Sequence, residues 1–254
     1  MSSKFSNQSD ASNYDDSLLS SIDLLIRIFK YASEKDKDPD SKNTDSTTQS
    51  LLNKLDLEQF IDKLLICIAH QNYEIKVKSI YLYFEASKAS SQILKRSVEK
   101  DIIRKITKSY KKIKDNSIKE ICLICINDLL GSDETAKEKV FECGKFLYDS
   151  LINPKEQNMK VTYESIELLG LLTSNCTEEQ GLKLWSFEIL QYIGQNLIKF
   201  ETNQKFIDSI LNLINNLLDC NYRKEHKDRK IALAFQEVQG FEVLENIMNS
   251  TEIT

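Results

Sequence analysis

Residues 121–133 read ICLICINDLLGSD, and the last five of them return twice further along the chain. Leu129-Leu130-Gly131-Ser132-Asp133 is followed by Leu171-Leu172-Thr173-Ser174-Asn175 and by Leu217-Leu218-Asp219-Cys220-Asn221. The intervals are 42 and 46 residues. Each copy joins the apolar end of a helical pattern to short side chains of the kind that cap the next helix. A period of about 40–47 residues is that of stacked two- or three-helix units. One unit cannot bury its apolar face alone, so neighbours must share a continuous core. The period therefore predicts an all-α right-handed superhelix, a solenoid of about four to five repeats.

A second landmark keeps the same step. Val140-Phe141-Glu142-Cys143-Gly144 precedes a helical pattern, and Phe235-Gln236-Glu237-Val238-Gln239-Gly240 precedes another. The two glycines lie 96 residues apart, two periods. Counting backwards, the equivalent corners fall near Asp101 and Asp56.

The rest of the 254 residues agrees. Only 6 are Gly and 2 are Pro, too few for the many turns of a β-rich fold of this length. Residues 1–16 are polar and read as a disordered tail. A helix is expected from Ser17 to Ala32, with Leu18, Ile22, Leu25, Ile26 and Phe29 on one face. Residues 33–50 hold Pro39 and no large apolar side chain, and read as a mobile insertion. The domain expected is thus a helical repeat over 17–254. No basic leader precedes an apolar segment, and no stretch is long and apolar enough to span a membrane. A cytosolic or nuclear location is expected, with the 6 cysteines as free thiols.

The pattern of an apolar residue, Glu, two residues, Gly and then a Leu-rich helix resembles the armadillo repeat, over roughly residues 50–250. The segment IALAFQEVQGFEVLENIMNSTE, residues 231–252, is similar to the end of importin-α-type proteins. HEAT-like helix pairs remain open for part of the chain. The resemblance implies that a long third helix follows each corner, and that third helices line a concave surface that holds extended partners.

Few residues offer chemistry. His70 and His226 are the only histidines, no Gly-rich phosphate loop is present, and the acidic residues are scattered. No enzyme activity, cofactor or metal is expected. Cys122 and Cys125 form a C-x-x-C inside a helical run with no second ligand pair at zinc spacing, so both are read as core.

The anomaly is charge. The chain carries a formal net charge of −5, yet between Lys95 and Lys114 nine basic residues face only Glu99 and Asp101. They are Lys95, Arg96, Lys100, Arg104, Lys105, Lys108, Lys111, Lys112 and Lys114. Ile102, Ile103, Ile106, Tyr110 and Ile113 form the opposite stripe. This run reads as one basic helix, a third helix by register, facing the groove. A second cluster holds Arg223, Lys224 and Lys227, and Trp185 is the lone tryptophan. In importin-α-type proteins a repeated Trp has an Asn one turn later; here Ile189 stands four after Trp185.

The expected function is a non-enzymatic adaptor that grips an acidic or phosphorylated segment of a protein partner on its concave face. The candidate contacts are Lys100, Arg104, Lys105, Lys108, Lys111, Lys112, Arg223, Lys224, Lys227 and Trp185. Three other readings stay open: an importin-α-like nuclear-transport adaptor, a co-chaperone exchange factor, and an RNA-binding helical repeat.

Overall fold

The structure is a computed structural model that describes residues 6–35, 54–143, 158–174 and 203–222, with isolated positions at 180, 192, 193, 196, 236, 241, 242 and 245. All regular structure among the described residues is helical. The helices are α1 (Ser6–Lys35), α2 (Leu57–Ile68), α3 (Tyr73–Ala89), α4 (Ser91–Glu99), α5 (Ile102–Tyr110), α6 (Asn116–Ser132), α7 (Thr135–Glu142), α8 (Met159–Thr173) and α9 (Gln204–Tyr222). The chain divides into two compact units, Met1–Val140 and Phe141–Thr254.

The long helices carry the period. Each of α3, α6, α8 and α9 begins one residue after a short polar cap: Asn72, Asp115, Asn158 and Asn203. The cap oxygen accepts from an amide of the first turn in every case. Asn72 Oδ1 accepts from Glu74 N at 2.9 Å, and Asp115 Oδ1 from Ser117 N at 2.8 Å. Asn158 Oδ1 accepts from Lys160 N at 3.1 Å, and Asn203 Oδ1 from Phe206 N at 3.2 Å. Such caps satisfy amides that have no partner within the helix. The recurring LLGSD motif closes a helix and starts the next one. Ser132 Oγ donates to Leu129 O at 2.9 Å, while Asp133 Oδ1 accepts from Thr135 N at 2.8 Å at the head of α7. Ser174 Oγ repeats the closing bond to Leu171 O at 2.8 Å.

In the first unit α3 is the centre and packs on α1, α2, α4 and α6. Its Ile80 and Tyr83 are wholly buried, as are Ile61 and Ile68 of α2, Ile93 of α4, Ile102, Ile103 and Ile106 of α5, and Leu123 and Ile126 of α6. Each such side chain contributes about 1.5–3 kcal/mol relative to exposure. In the second unit α8 packs on α9. Tyr163 meets Phe206 with ring centroids 6.2 Å apart, and Asn216 Nδ2 donates to Gly170 O at 3.2 Å.

One expectation, that of the corners, is corrected, and α1 runs past the bounds expected for it at both ends. The segment read as a tail enters α1 at Ser6, and Asp15 is fastened to the α2–α3 corner by Asn72 Nδ2 at 2.9 Å. The insertion expected at 33–50 begins inside α1, and from residue 36 lies outside the described residues. The corner landmarks at Asp56 and Asp101 precede α2 and α5, not the long helices, which begin 17 and 15 residues later at Tyr73 and Asn116. The corner therefore joins the first and middle helix of a unit. Gly144 and Gly240 lie outside the described residues.

Asp101 shows why that corner was hard to read. It adopts φ 63° and ψ 32°, the left-handed region, at a position where Gly stands one period later. A non-Gly residue there costs about 1 kcal/mol. Asp101→Gly is expected to raise stability by roughly 0.5–1 kcal/mol, and Asp101→Val to lower it by about 2 kcal/mol. Urea denaturation of the two variants checks this; a Val variant as stable as the parent would contradict it.

Candidate partner-binding surface

The basic run does not form one helix. It breaks at Lys100–Asp101 into α4 and α5, because Asp101 turns left-handed and Lys100 N and Asp101 N fold back onto Arg96 O and Val98 O at 3.2 and 3.3 Å. Neither piece is the long third helix that the register implied.

The break also divides the charge. On the α4 side Arg96 and Lys100 are answered from α2. Lys100 Nζ lies 2.8 Å from Glu58 and 2.9 Å from Asp62, and these two carboxylates hold its pKa above the ordinary lysine value. Arg96 reaches Glu58 at 3.5 Å and Glu99 at 3.4 Å. Lys100, a candidate contact by sequence, is thus committed to a neighbouring helix.

On the α5 side little answers. Its inner face buries Ile102, Ile103, Ile106 and Tyr110, and Ser109 Oγ ties its end to Ile68 O at 3.0 Å. Its outer face carries Arg104, Lys105 and Lys108, continued by Lys111, Lys112 and Lys114 in the turn before α6. All but the half-buried Lys105 are exposed. Arg104 meets Asp101 only at 4.0 Å. Among the described residues no carboxylate lies within ion-pair distance of Lys105, Lys108, Lys112 or Lys114. Arg104–Lys108 is spaced i, i+4 on α5, where like charges cost a few tenths of a kcal/mol. The protein retains that repulsion on a face that contributes nothing to its core.

The structure adds a residue that the sequence reading passed over. Lys76, in the first turns of α3, exposes only 7% of its surface. Burial, and then the nearby Lys112 ammonium, hold its pKa below the ordinary lysine value. The α5–α6 turn is fastened beside it, since Tyr73 Oη accepts from Lys114 N at 3.4 Å. The remaining sequence candidates, Trp185, Arg223, Lys224 and Lys227, lie outside the described residues.

The other candidate chemistry is structural. His70 Nδ1 accepts from Asn72 N at 3.1 Å, so it organises the α2–α3 corner. Cys122 and Cys125 are fully buried in α6, and burial drives both thiols far above their usual pKa. Cys122 stands one period from Ser79 and from Ser165, whose hydroxyls donate to Ile75 O at 2.7 Å and Val161 O at 2.8 Å. A small side chain that can turn back on its own helix suits this position. Cys122→Ser should therefore change stability by less than about 1 kcal/mol. Iodoacetamide at pH 8 should label Cys67 and Cys143, which are partly exposed, and spare Cys122 and Cys125 until the chain unfolds. Native labelling of Cys122 as fast as in urea would contradict the buried assignment. Among the described residues no group of three or more His, Cys, Asp or Glu side chains is placed to hold a metal ion. No described helix is long and apolar enough to cross a membrane.

No protein-family model matches the chain. No curated protein matches it. Solved structures do. An engineered protein aligns over 91% of this chain and 90% of its own, with a TM-score of 0.64 and 11% identity. A designed armadillo repeat protein in complex with the peptide (KR)4 aligns over 85% of this chain and 90% of its own, with a TM-score of 0.55 and 13% identity. Another designed armadillo repeat protein gives a TM-score of 0.56 at 13% identity, over the same shares. At these identities the likeness is one of fold, and the chain has an armadillo-type helical-repeat fold.

Proposed function

We propose that the chain is a non-enzymatic adaptor, a repeat scaffold that holds an acidic segment of a protein partner on the outer face of α5. The basic face of α5 and the turn after it carries this reading, with Lys105, Lys108, Lys112 and Lys114 outside ion-pair distance of any described carboxylate and Arg104 only 4.0 Å from Asp101. The fold supports it, because a designed armadillo repeat protein of the same fold was solved holding a peptide. That peptide is basic, whereas the row on α5 calls for the opposite charge. The long helices are weaker candidates in the first unit. Lys78 of α3 is taken up by Asp23 at 2.6 Å and Glu74 at 3.4 Å, and α6 turns Ile121 and Ile124 half outward.

The test reverses three charges, Arg104→Glu, Lys108→Glu and Lys112→Glu, and measures binding of poly-L-glutamate to the full chain by calorimetry. Binding should weaken roughly a hundredfold, at about 1 kcal/mol per reversed charge, with the melting temperature little changed. Lys100→Glu should do the opposite: it sets like charges against Glu58 and Asp62, lowers the melting temperature and leaves binding in place. Undiminished binding by the triple variant would overturn the α5 reading. Capture from lysate that is lost on nuclease treatment would point to nucleic acid instead.

A further inference from the structure

We propose that the acidic segment held by α5 also carries an apolar side chain, which docks on Ile66 of α2 beside the basic row. The proposal rests on the partner-binding reading above and specifies a second kind of residue that the segment presents.

Ile66 exposes 67% of its surface and Tyr73 exposes 44%. A scattered exposed apolar side chain is ordinary. These two are placed together with the cations. α2 packs on α3, α5 packs on α6, and α3 packs on α6, while α2 and α5 touch each other. The two short helices are therefore neighbours in one outer layer. Two contacts fix how they run. Lys100 Nζ reaches Asp62 at 2.9 Å just ahead of α5, and Ser109 Oγ donates to Ile68 O at 3.0 Å near its end. The helices are thus parallel, and Ile66 stands level with the middle of α5, between Arg104 and Lys108.

On α2 the buried positions are Ile61, Leu64, Leu65 and Ile68, and helical spacing sets Ile66 on the opposite side. Arg104 and Lys108 stand opposite the buried Ile102, Ile103, Ile106 and Tyr110 in the same way. The exposed faces of the two helices continue each other, one cationic and one with an apolar side chain at its centre. Tyr73 marks the far end of the row, since its Oη accepts from Lys114 N at 3.4 Å.

An acidic segment that carries Leu, Phe or another apolar residue uses both faces. Packed helices lie about 8–10 Å apart, roughly the span of two to three extended residues. The segment therefore crosses from α5 to α2 with its apolar residue two or three positions from an acidic one. Each methylene that it buries strengthens binding about fourfold, so one aliphatic side chain seated on Ile66 gives roughly tenfold or more. Nucleic acid offers base faces that stack on aromatic rings, not on an aliphatic side chain. Ile66 and the net charge of −5 both favour a protein segment.

The experiment is a calorimetric titration of the full chain, at constant ionic strength, with two capped peptides of equal charge. One is three repeats of Glu-Glu-Leu and the other three repeats of Glu-Glu-Ser. The Leu peptide is expected to bind roughly tenfold more tightly. Ile66→Ser should bring it down to the affinity of the Ser peptide and leave the Ser peptide unchanged, while Ile66→Leu should keep the preference. Leu24→Ser, at another exposed site on α1, should change neither. Poly-L-glutamate binding with no preference for the Leu peptide, or a preference that survives Ile66→Ser, would overturn the apolar subsite and leave the α5 reading standing. A preference lost equally in Leu24→Ser would mean general apolar adhesion and overturn it too. If neither peptide nor poly-L-glutamate binds, the α5 reading itself fails. Oligothymidylate of the same charge binding more tightly than the Leu peptide would assign the face to single-stranded nucleic acid and overturn the proposal.

Discussion

Replacing Phe29 with Ala should release α1 from the first unit, at a cost of about 3–5 kcal/mol. Phe29 exposes 1% of its surface and meets Phe60 with ring centroids 5.7 Å apart. Around it α1 is fixed by polar contacts of lesser weight: Lys78 to Asp23 at 2.6 Å, Lys30 over the Tyr81 ring at 4.9 Å, and Asn72 to Asp15 at 2.9 Å. These are only partly buried and worth a few tenths to about 1 kcal/mol apiece. The ring of Phe29 is the anchor. Repeat units contact mainly their neighbours, so losing the anchor should open α1 locally before the rest unfolds. Tryptic cleavage after Arg27 and Lys30 should become fast, with part of the helical signal lost in a separate early transition. Leu24→Ala is the control, since Leu24 on the same helix is 60% exposed and its truncation should stay within about 0.5 kcal/mol. Equal effects from the two truncations would contradict the packing described.

Alkaline pH should weaken the first unit steeply. Cys122 and Cys125 are wholly buried, and burial raises both thiols far above the value of about 8.5 expected in the unfolded chain. The folded state therefore holds protons that the unfolded state gives up. Stability is full below about pH 8.5 and falls as pH rises from there toward the folded values. Each thiol takes away about 1.4 kcal/mol per pH unit, so the pair should remove roughly 5 kcal/mol between pH 8.5 and 10.5. Tyr83, whose buried phenol is also raised, adds to the loss above about pH 10. Lys76 runs the other way, since its folded value is lowered, and offsets part of the fall. Urea midpoints measured across that range check the slope. The double variant Cys122→Ser, Cys125→Ala should be flatter by more than half. An unchanged slope in that variant would place the titrating groups elsewhere.

Much of the fold is legible in the sequence, for a physical reason. Helix ends need caps, so Asn72, Asp115 and Asn158 recur where long helices start, and the Leu-Leu copies at 129 and 171 recur where α6 and α8 stop. The core face of α1 can be read from Ile22, Ile26 and Phe29 in the same way, and all three are buried. Cys122 and Cys125 could be placed in the core because nothing near them in sequence completes a metal or redox site.

The misread parts share a cause. Lys95 to Lys114 holds no Gly or Pro, so the turn at Lys100–Asp101 has no ordinary marker, and Asp101 is left-handed at a position where the sequence has Gly144 one period later. One signal was present. On one unbroken helix Ile93 would stand about half a turn round from Ile102, although Val98 stays in phase with Ile102 and Ile106. The pairing of Lys100 with Glu58 and Asp62 joins residues about forty positions apart and depends on how α4 lies against α2. Lys76 sits in EIKVKSIYLYF, where helical periodicity puts it on the same side as Ile80 and Tyr83; that was the available hint of a buried lysine.

The central claim is that an acidic segment lies on α5 and not along the long helices. Amide hydrogen exchange of the full chain, with and without saturating poly-L-glutamate, tests it most directly. New protection confined to residues 102–114 and the adjoining start of α3 is the result expected. Protection along the length of α3 and α6 with none on α5 would contradict it.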